Sequence, residues 1–183
     1  MIVIAAGGEN RRLRELLRSA GALSMLCTDA AQASFCGDRP DLIFLSARTP
    51  LRISCENAAL IARRGAGLPT GIDCEKQVAV VDSADAAVRE HLARRRLPAI
   101  TCGLSGVDTL TLSSLTADSA MIALQRQITA FDGTETDPFE LPVLFSQHIE
   151  PFDLLAAAAI FCLMGRRSPL SGLSVWRIAS GNG

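Results

Sequence analysis

A glycine pair followed by two arginines marks the first place where this chain is equipped to hold an anion. Gly7 and Gly8 come after the apolar run Ile2, Val3, Ile4 and Ala5; Glu9 and Asn10 follow, and Arg11 and Arg12 open a helical pattern. A strand, a glycine turn and a helix start together aim backbone N–H groups and the positive pole of a helix dipole at one point, an arrangement suited to phosphate or carboxylate. Gly7, Gly8, Asn10, Arg11 and Arg12 are therefore candidate anion- or nucleotide-binding residues. An ordinary turn between the strand and helix of a βαβ unit needs the same glycines. Two further polar positions stand at the ends of apolar runs: Asp82 after residues 78–81, and His148 before residues 151–164. Asp82 also suits a helix N-cap, and His148 suits a solvated loop.

Other chemistries lack their residues. There is no G-x-S-x-G, no H-E-x-x-H and no full G-x-G-x-x-G, so hydrolase, zinc-protease and dinucleotide readings have no motif behind them. Lys76 is the only lysine, which limits lysine-dependent mechanisms to one position. The cysteines Cys27, Cys36, Cys55, Cys74, Cys102 and Cys162 are scattered without a C-x-x-C, and only His91 and His148 stand beside them as nitrogen ligands. No metal site is expected from such spacing, and the cysteines are expected to act as small apolar residues in a reducing compartment. A net charge of −1 and a pI near 6.1 leave no electrostatic footprint for nucleic acid or an anionic membrane.

The elements that must position these residues follow from hydropathy patterning. Leu13, Leu16, Leu17 and Ala20 recur at helical spacing with Arg11, Arg14 and Arg18 on the wet side, and Gly21 is placed to end that helix. Residues 22–27 and 41–45 read as strands, with a turn at 37–40. Residues 46–72 are the least regular. Residues 56–64 suggest a short helix using Ala58, Leu60 and Ile61, ended by Gly65, Gly67 and Gly71; Arg48, Arg52, Arg63 and Arg64 read as a solvated face, with an anionic ligand as the alternative. Residues 78–81 form a buried-type strand, Asp82 and Ser83 a helix start, and Arg94, Arg95 and Arg96 a basic end suited to the negative helix pole. Strands are expected at 99–103, 109–112, 120–128 and 139–145, with a tight turn at Asp132-Gly133. Pro151 and Gly165 bracket a helix apolar nearly all round, which must be deeply buried or cover a partner. Residues 173–178, which hold Trp176, suggest a last edge strand.

Residues 78–165 resemble, in their order, the distal half of the central ATP-binding domain of the Mur ligases, the ATP-dependent amide ligases of peptidoglycan synthesis. Ala99-Ile100-Thr101-Cys102-Gly103 is similar to a strand of that family, and His148 with residues 154–159 falls in register with its G-x-H-N-x-x-N-x-[LA]-A-A-[IA]-A segment. Asp82 matches, at one position, the acidic end of the family's N-x-D-D strand. Elsewhere the chain departs from the pattern. The family's G-x-x-G-K-[ST] phosphate loop would fall at Gly7 and Gly8, yet no Gly-Lys-Ser/Thr follows, and Arg11 and Arg12 occupy that region. The glutamate that helps hold Mg²⁺ would fall near Leu45 and Ser46, and leucine cannot ligate a hard cation. The motif's asparagines are replaced by Ile149 and by Phe152 or Asp153. Residues 5–13 are also superficially similar to the nucleotidyltransferase motif L-A-A-G-x-G-x-R-[LM], without its second glycine in register.

The resemblance implies an α/β fold, three-layer and doubly wound, with a mostly parallel sheet and an antiparallel C-terminal edge, in one domain over residues 1–183 with a flexible tail at 179–183. It implies a non-catalytic, degenerate Mur-ligase-like protein linked to peptidoglycan or cell-envelope processes. The alternative is a divergent enzyme using the Gly7-Gly8 turn on a nucleotide or phosphorylated substrate. No cofactor is expected, although ATP and Mg²⁺ belong to the family. The expected partner is a second copy or another protein docking on helix 151–164, in the cytoplasm, since the longest apolar run is too short to span a bilayer and the N-terminus lacks a basic leader pattern.

Overall fold

The computed structural model describes residues 1–6, 10–20, 23–28, 33–36, 40–47, 52–68 and 71–178. In chain order the first elements are β1 (Ile2–Ala6), α1 (Arg11–Ser19), β2 (Met25–Thr28), β3 (Ala33–Cys36), β4 (Leu42–Ala47), β5 (Ile53–Ala62), β6 (Ile72–Asp82) and α2 (Ala86–Arg95). They are followed by β7 (Ala99–Gly103), β8 (Leu110–Leu115), β9 (Ser119–Leu124), β10 (Ile128–Thr129), β11 (Glu135–Thr136), β12 (Phe139–Phe145), α3 (Pro151–Leu163) and β13 (Trp176–Ile178). The fold is α/β with a mostly parallel mixed sheet. The chain forms two compact units, one of Met1–Asn10 with Leu23–Thr101 and one of Arg11–Ala22 with Cys102–Gly183.

In the first unit the strand order is β6-β5-β1-β4-β2-β3. The first five strands are mutually parallel, and β3 closes this edge antiparallel to β2. Central parallel strands are buried on both faces. That is why Val3, Ile4 and Ala5, residues 58–62 and residues 79–81 are buried without alternation. The helix expected at 56–64 is instead the second half of β5. Its Ala58, Ala59, Leu60 and Ile61 pair with β1 on one side and with β6 on the other, and an apolar run this short carries no period that separates strand from helix. Val88 and Leu92 of α2 pack on Ala62, Ala79 and Val81.

Asp82 does not cap α2. Its Oδ1 accepts from the Ala84 N–H at 2.9 Å in a turn, and the cap is Asp85, whose Oδ1 accepts from the Val88 N–H at 3.1 Å and whose Oδ2 accepts from the Gly65 N–H at 2.8 Å. Those backbone donors, Gly65 first, hold the Asp85 carboxyl below the usual aspartate range. Gly65 adopts φ of +76°, a conformation that favours glycine.

The second unit is a meander followed by a crossover. The end of β7 pairs parallel with β8, β9 runs antiparallel between β8 and β12, and β13 lies parallel to β12. The antiparallel strand is therefore internal and the last strand is parallel, reversing the edge expected from the sequence. The strand expected at 120–128 breaks after Leu124; Ile128 and Thr129 pair instead with Glu135 and Thr136 around the Asp132-Gly133 turn. Helix α3 contacts α1, β8 and β10. Its residues 153–163 are all buried, so this helix is an internal element. A second chain would have to find its apolar contact elsewhere. No described helix is long and apolar enough to cross a membrane.

Two of the six cysteines depart from expectation. Cys55 and Cys74 are register partners on β5 and β6, with Cα atoms 4.9 Å apart, and form a disulfide. Cys27, Cys102 and Cys162 take part in no disulfide and are buried, as small apolar residues should be; burial pushes the Cys162 thiol up to about 12. With one pair oxidised, cysteine usage no longer argues for a reducing compartment.

Candidate functional site

The candidate site forms where α1 begins. Leu13, Leu16 and Leu17 bury one face of this helix, and Arg12 reaches the loop between β12 and α3. Arg12 is the hub: one guanidinium nitrogen donates to Glu15 Oε2 at 2.8 Å, and the other donates to Gln147 Oε1 at 3.0 Å and to the His148 carbonyl at 3.1 Å. Arg11 donates to Glu15 Oε1 at 2.8 Å. Glu15 thus accepts from both arginines, and its carboxyl is held below the usual glutamate range, chiefly by the Arg11 hydrogen bond. The His148 ring stands in solvent, 3.2 Å from Glu150 Oε1.

Arg11, Arg12 and His148 therefore come together in one unit, joined by residues that the sequence did not single out. Glu15 was visible as the i,i+4 partner of Arg11. Gln147 and Glu150 carried no signal, because their proximity depends on how α1 and α3 pack. Asn10 lies buried just before α1, where its Oδ1 accepts from Arg63 Nε at 3.3 Å; the sequence marked Arg63 as part of a basic face, without pointing to Asn10 as its partner. Asp82 belongs to the β6–α2 turn of the first unit. Gly7 and Gly8 lie outside the described residues, as does the Gly21 helix stop.

Electrostatics decides what this cluster can do. Two arginines in the first turn of α1, with no acidic residue there, oppose the helix dipole. Glu15 offsets that cost from within the same helix. An incoming phosphate would compete with Glu15 for both guanidinium groups and with Gln147 and the His148 carbonyl for Arg12. Surface ion pairs of this kind contribute only about 0–1 kcal/mol, so the competition is weak in energy. It is specific in geometry, since it fixes Arg12 onto the loop. A Mg²⁺ site of the ligase type finds no support in the residues: Leu45, at the position implied for the glutamate, packs on the apolar cluster of Ile4, Ala58 and Leu60. Among the described residues no group of three His, Cys, Asp or Glu side chains is placed to hold a metal ion. No protein-family model matches this chain, and no curated protein matches it.

Proposed function

We propose that this chain is a non-catalytic protein built on a degenerate Mur-ligase-like central domain, and that it works by binding rather than by phosphoryl or acyl transfer. One observation carries this reading. The arginines that stand where a ligase would place its phosphate-loop lysine are held by Glu15, Gln147 and the His148 carbonyl. The order β6, α2, β7, β8, β9, β12, α3 over residues 78–165 supports the resemblance, and a P-loop-type doubly wound arrangement is the finer fold that goes with it. A role in peptidoglycan or cell-envelope processes is inherited from the resemblance alone, since architecture does not fix function.

Thermal-shift titration of the whole chain with ATP–Mg²⁺, other nucleotides and UDP-sugars tests the proposal. The expected result is no saturable shift. A micromolar response abolished by Gly7→Val would overturn it in favour of an enzyme acting on a nucleotide or phosphorylated substrate through the glycine turn.

A further inference from the structure

A second place in the molecule holds cationic groups that form no ion pair with a described residue. Within the first unit, the N-terminal ends of β5 and β6 and the last turn of α2 surround a cavity of about 610 Å³. Arg52 enters it from the residue before β5, and Arg95 enters it from the end of α2. Neither guanidinium forms an ion pair or hydrogen bond with any described residue. This contrasts with Arg11 and Arg12, whose charges are satisfied inside the protein. Two unpaired guanidinium groups from separate elements on one concave surface form a receptor for a bidentate anion such as phosphate or carboxylate.

The rest of the lining narrows the ligand. Ser54 and Asp73, cross-strand register partners, supply a hydroxyl and a carboxylate with no described partner, and the Gln77 amide is anchored by donating to the Ile72 carbonyl at 3.2 Å. Those groups accept from O–H or N–H. The Asp73 charge and the negative pole of α2 both disfavour a bare anion, so a ligand must bring donors for them as well as a charge for the arginines. The volume lies in the range of small-molecule sites. The next register pair along the strands, Cys55 and Cys74, is the disulfide; it ties together the two strands that carry Ser54 and Asp73.

We infer that this cavity is a binding site for a small hydroxylated or amino-bearing molecule that carries a phosphate or carboxylate group. β1, β5 and β6 are parallel, so the cavity lies at the strand ends opposite the C-terminal end of β1. The inference is independent of the glycine turn and of the Mur-ligase-like reading.

Calorimetric titration of the whole oxidised chain at low ionic strength tests it, with glucose 6-phosphate as the phosphate arm, gluconate as the carboxylate arm and inorganic phosphate as the bare anion. Saturable binding is expected in at least one of the first two arms, at least tenfold tighter than inorganic phosphate. R52A/R95A should weaken it tenfold or more, R52K/R95K should weaken it less, and Arg126→Ala, a change at an exposed arginine of the other unit, should leave it unchanged. Circular dichroism establishes that each variant is folded. Absence of saturable binding in both arms overturns the inference, as does binding that survives R52A/R95A or falls equally in Arg126→Ala.

Discussion

Two single residues carry the most direct tests of the structure. Asp85 accepts two backbone hydrogen bonds, from Gly65 and Val88, and a third backbone donor, Ala87, also lowers its carboxyl pKa. A carboxyl held below its ordinary value of 3.8 binds its proton less readily folded than unfolded. Its stabilising contribution is therefore complete above about pH 4 and is lost as the pH falls through the lower folded value. Melting temperature followed from pH 7 to pH 2 should drop more steeply for the native chain than for Asp85→Asn. Parallel acid profiles would mean that the charge on Asp85 contributes nothing. Gly165, just past α3, is the second test. It adopts φ of +59°, and a Cβ there would sit 2.6 Å from Asp132 Cγ. The Asp132 carboxylate cannot easily move away, since it accepts from the Thr134 N–H at 2.9 Å and the Arg166 N–H at 3.1 Å. Gly165→Ala should cost roughly 3 kcal/mol through left-handed strain and overpacking, read from chemical denaturation; a loss under 1 kcal/mol would contradict the packing described.

At the scale of elements, the chain was most legible where local signals agree with one another. The apolar run of β1, the leucine spacing of α1, the Asp132-Gly133 turn and the Pro151 and Gly165 ends of α3 all combine periodicity with a stop or start residue. It was least legible over residues 46–72, where Ala58, Leu60 and Ile61 suit either a helix or a buried strand. Only pairing with β1 and β6 decides between them. Strand β3 was missed for a related reason: at four residues it is defined by its antiparallel partner β2. The Cys55–Cys74 disulfide was hidden by the same error, because two cysteines 19 residues apart meet only once β5 and β6 are in register. Closing a loop of that length stabilises by about 3 kcal/mol in the chain-entropy account. The double substitution Cys55→Ala, Cys74→Ala should therefore lower the unfolding free energy by about that amount, and a phosphine reductant should do the same to the native chain but not to the double variant. Equal stability of oxidised and reduced native chain would show that the pair contributes nothing.

For the whole molecule, the candidate site was legible as residue types and illegible as a constellation. Arg11, Arg12 and His148 were recognisable from position, but their union depends on Arg12 meeting the Gln147 and His148 loop, 135 and 136 residues away. The unpaired arginines of the cavity in the first unit were hidden in the same way, since Arg52 and Arg95 share a wall only after β5 is a strand. Stability should follow the same division between buried cores and braced margins. Residues 58–62 and 79–81 in one unit and 154–163 in the other are buried without a break, whereas the first halves of β5 and β6 pair with each other beyond the stretch of β5, Ala58–Ile61, that pairs with β1. Amides that open only with global unfolding exchange most slowly, and marginal ones exchange through local opening. Hydrogen exchange read by mass spectrometry should accordingly show the slowest exchange at 58–62, 79–81 and 154–163. Reduction of Cys55–Cys74 should speed exchange at 53–57 and 72–77 while 58–62 and 79–81 stay protected. If reduction instead releases every strand of the first unit together, the disulfide holds the whole unit closed, and the central strands do not form a core that stands without it.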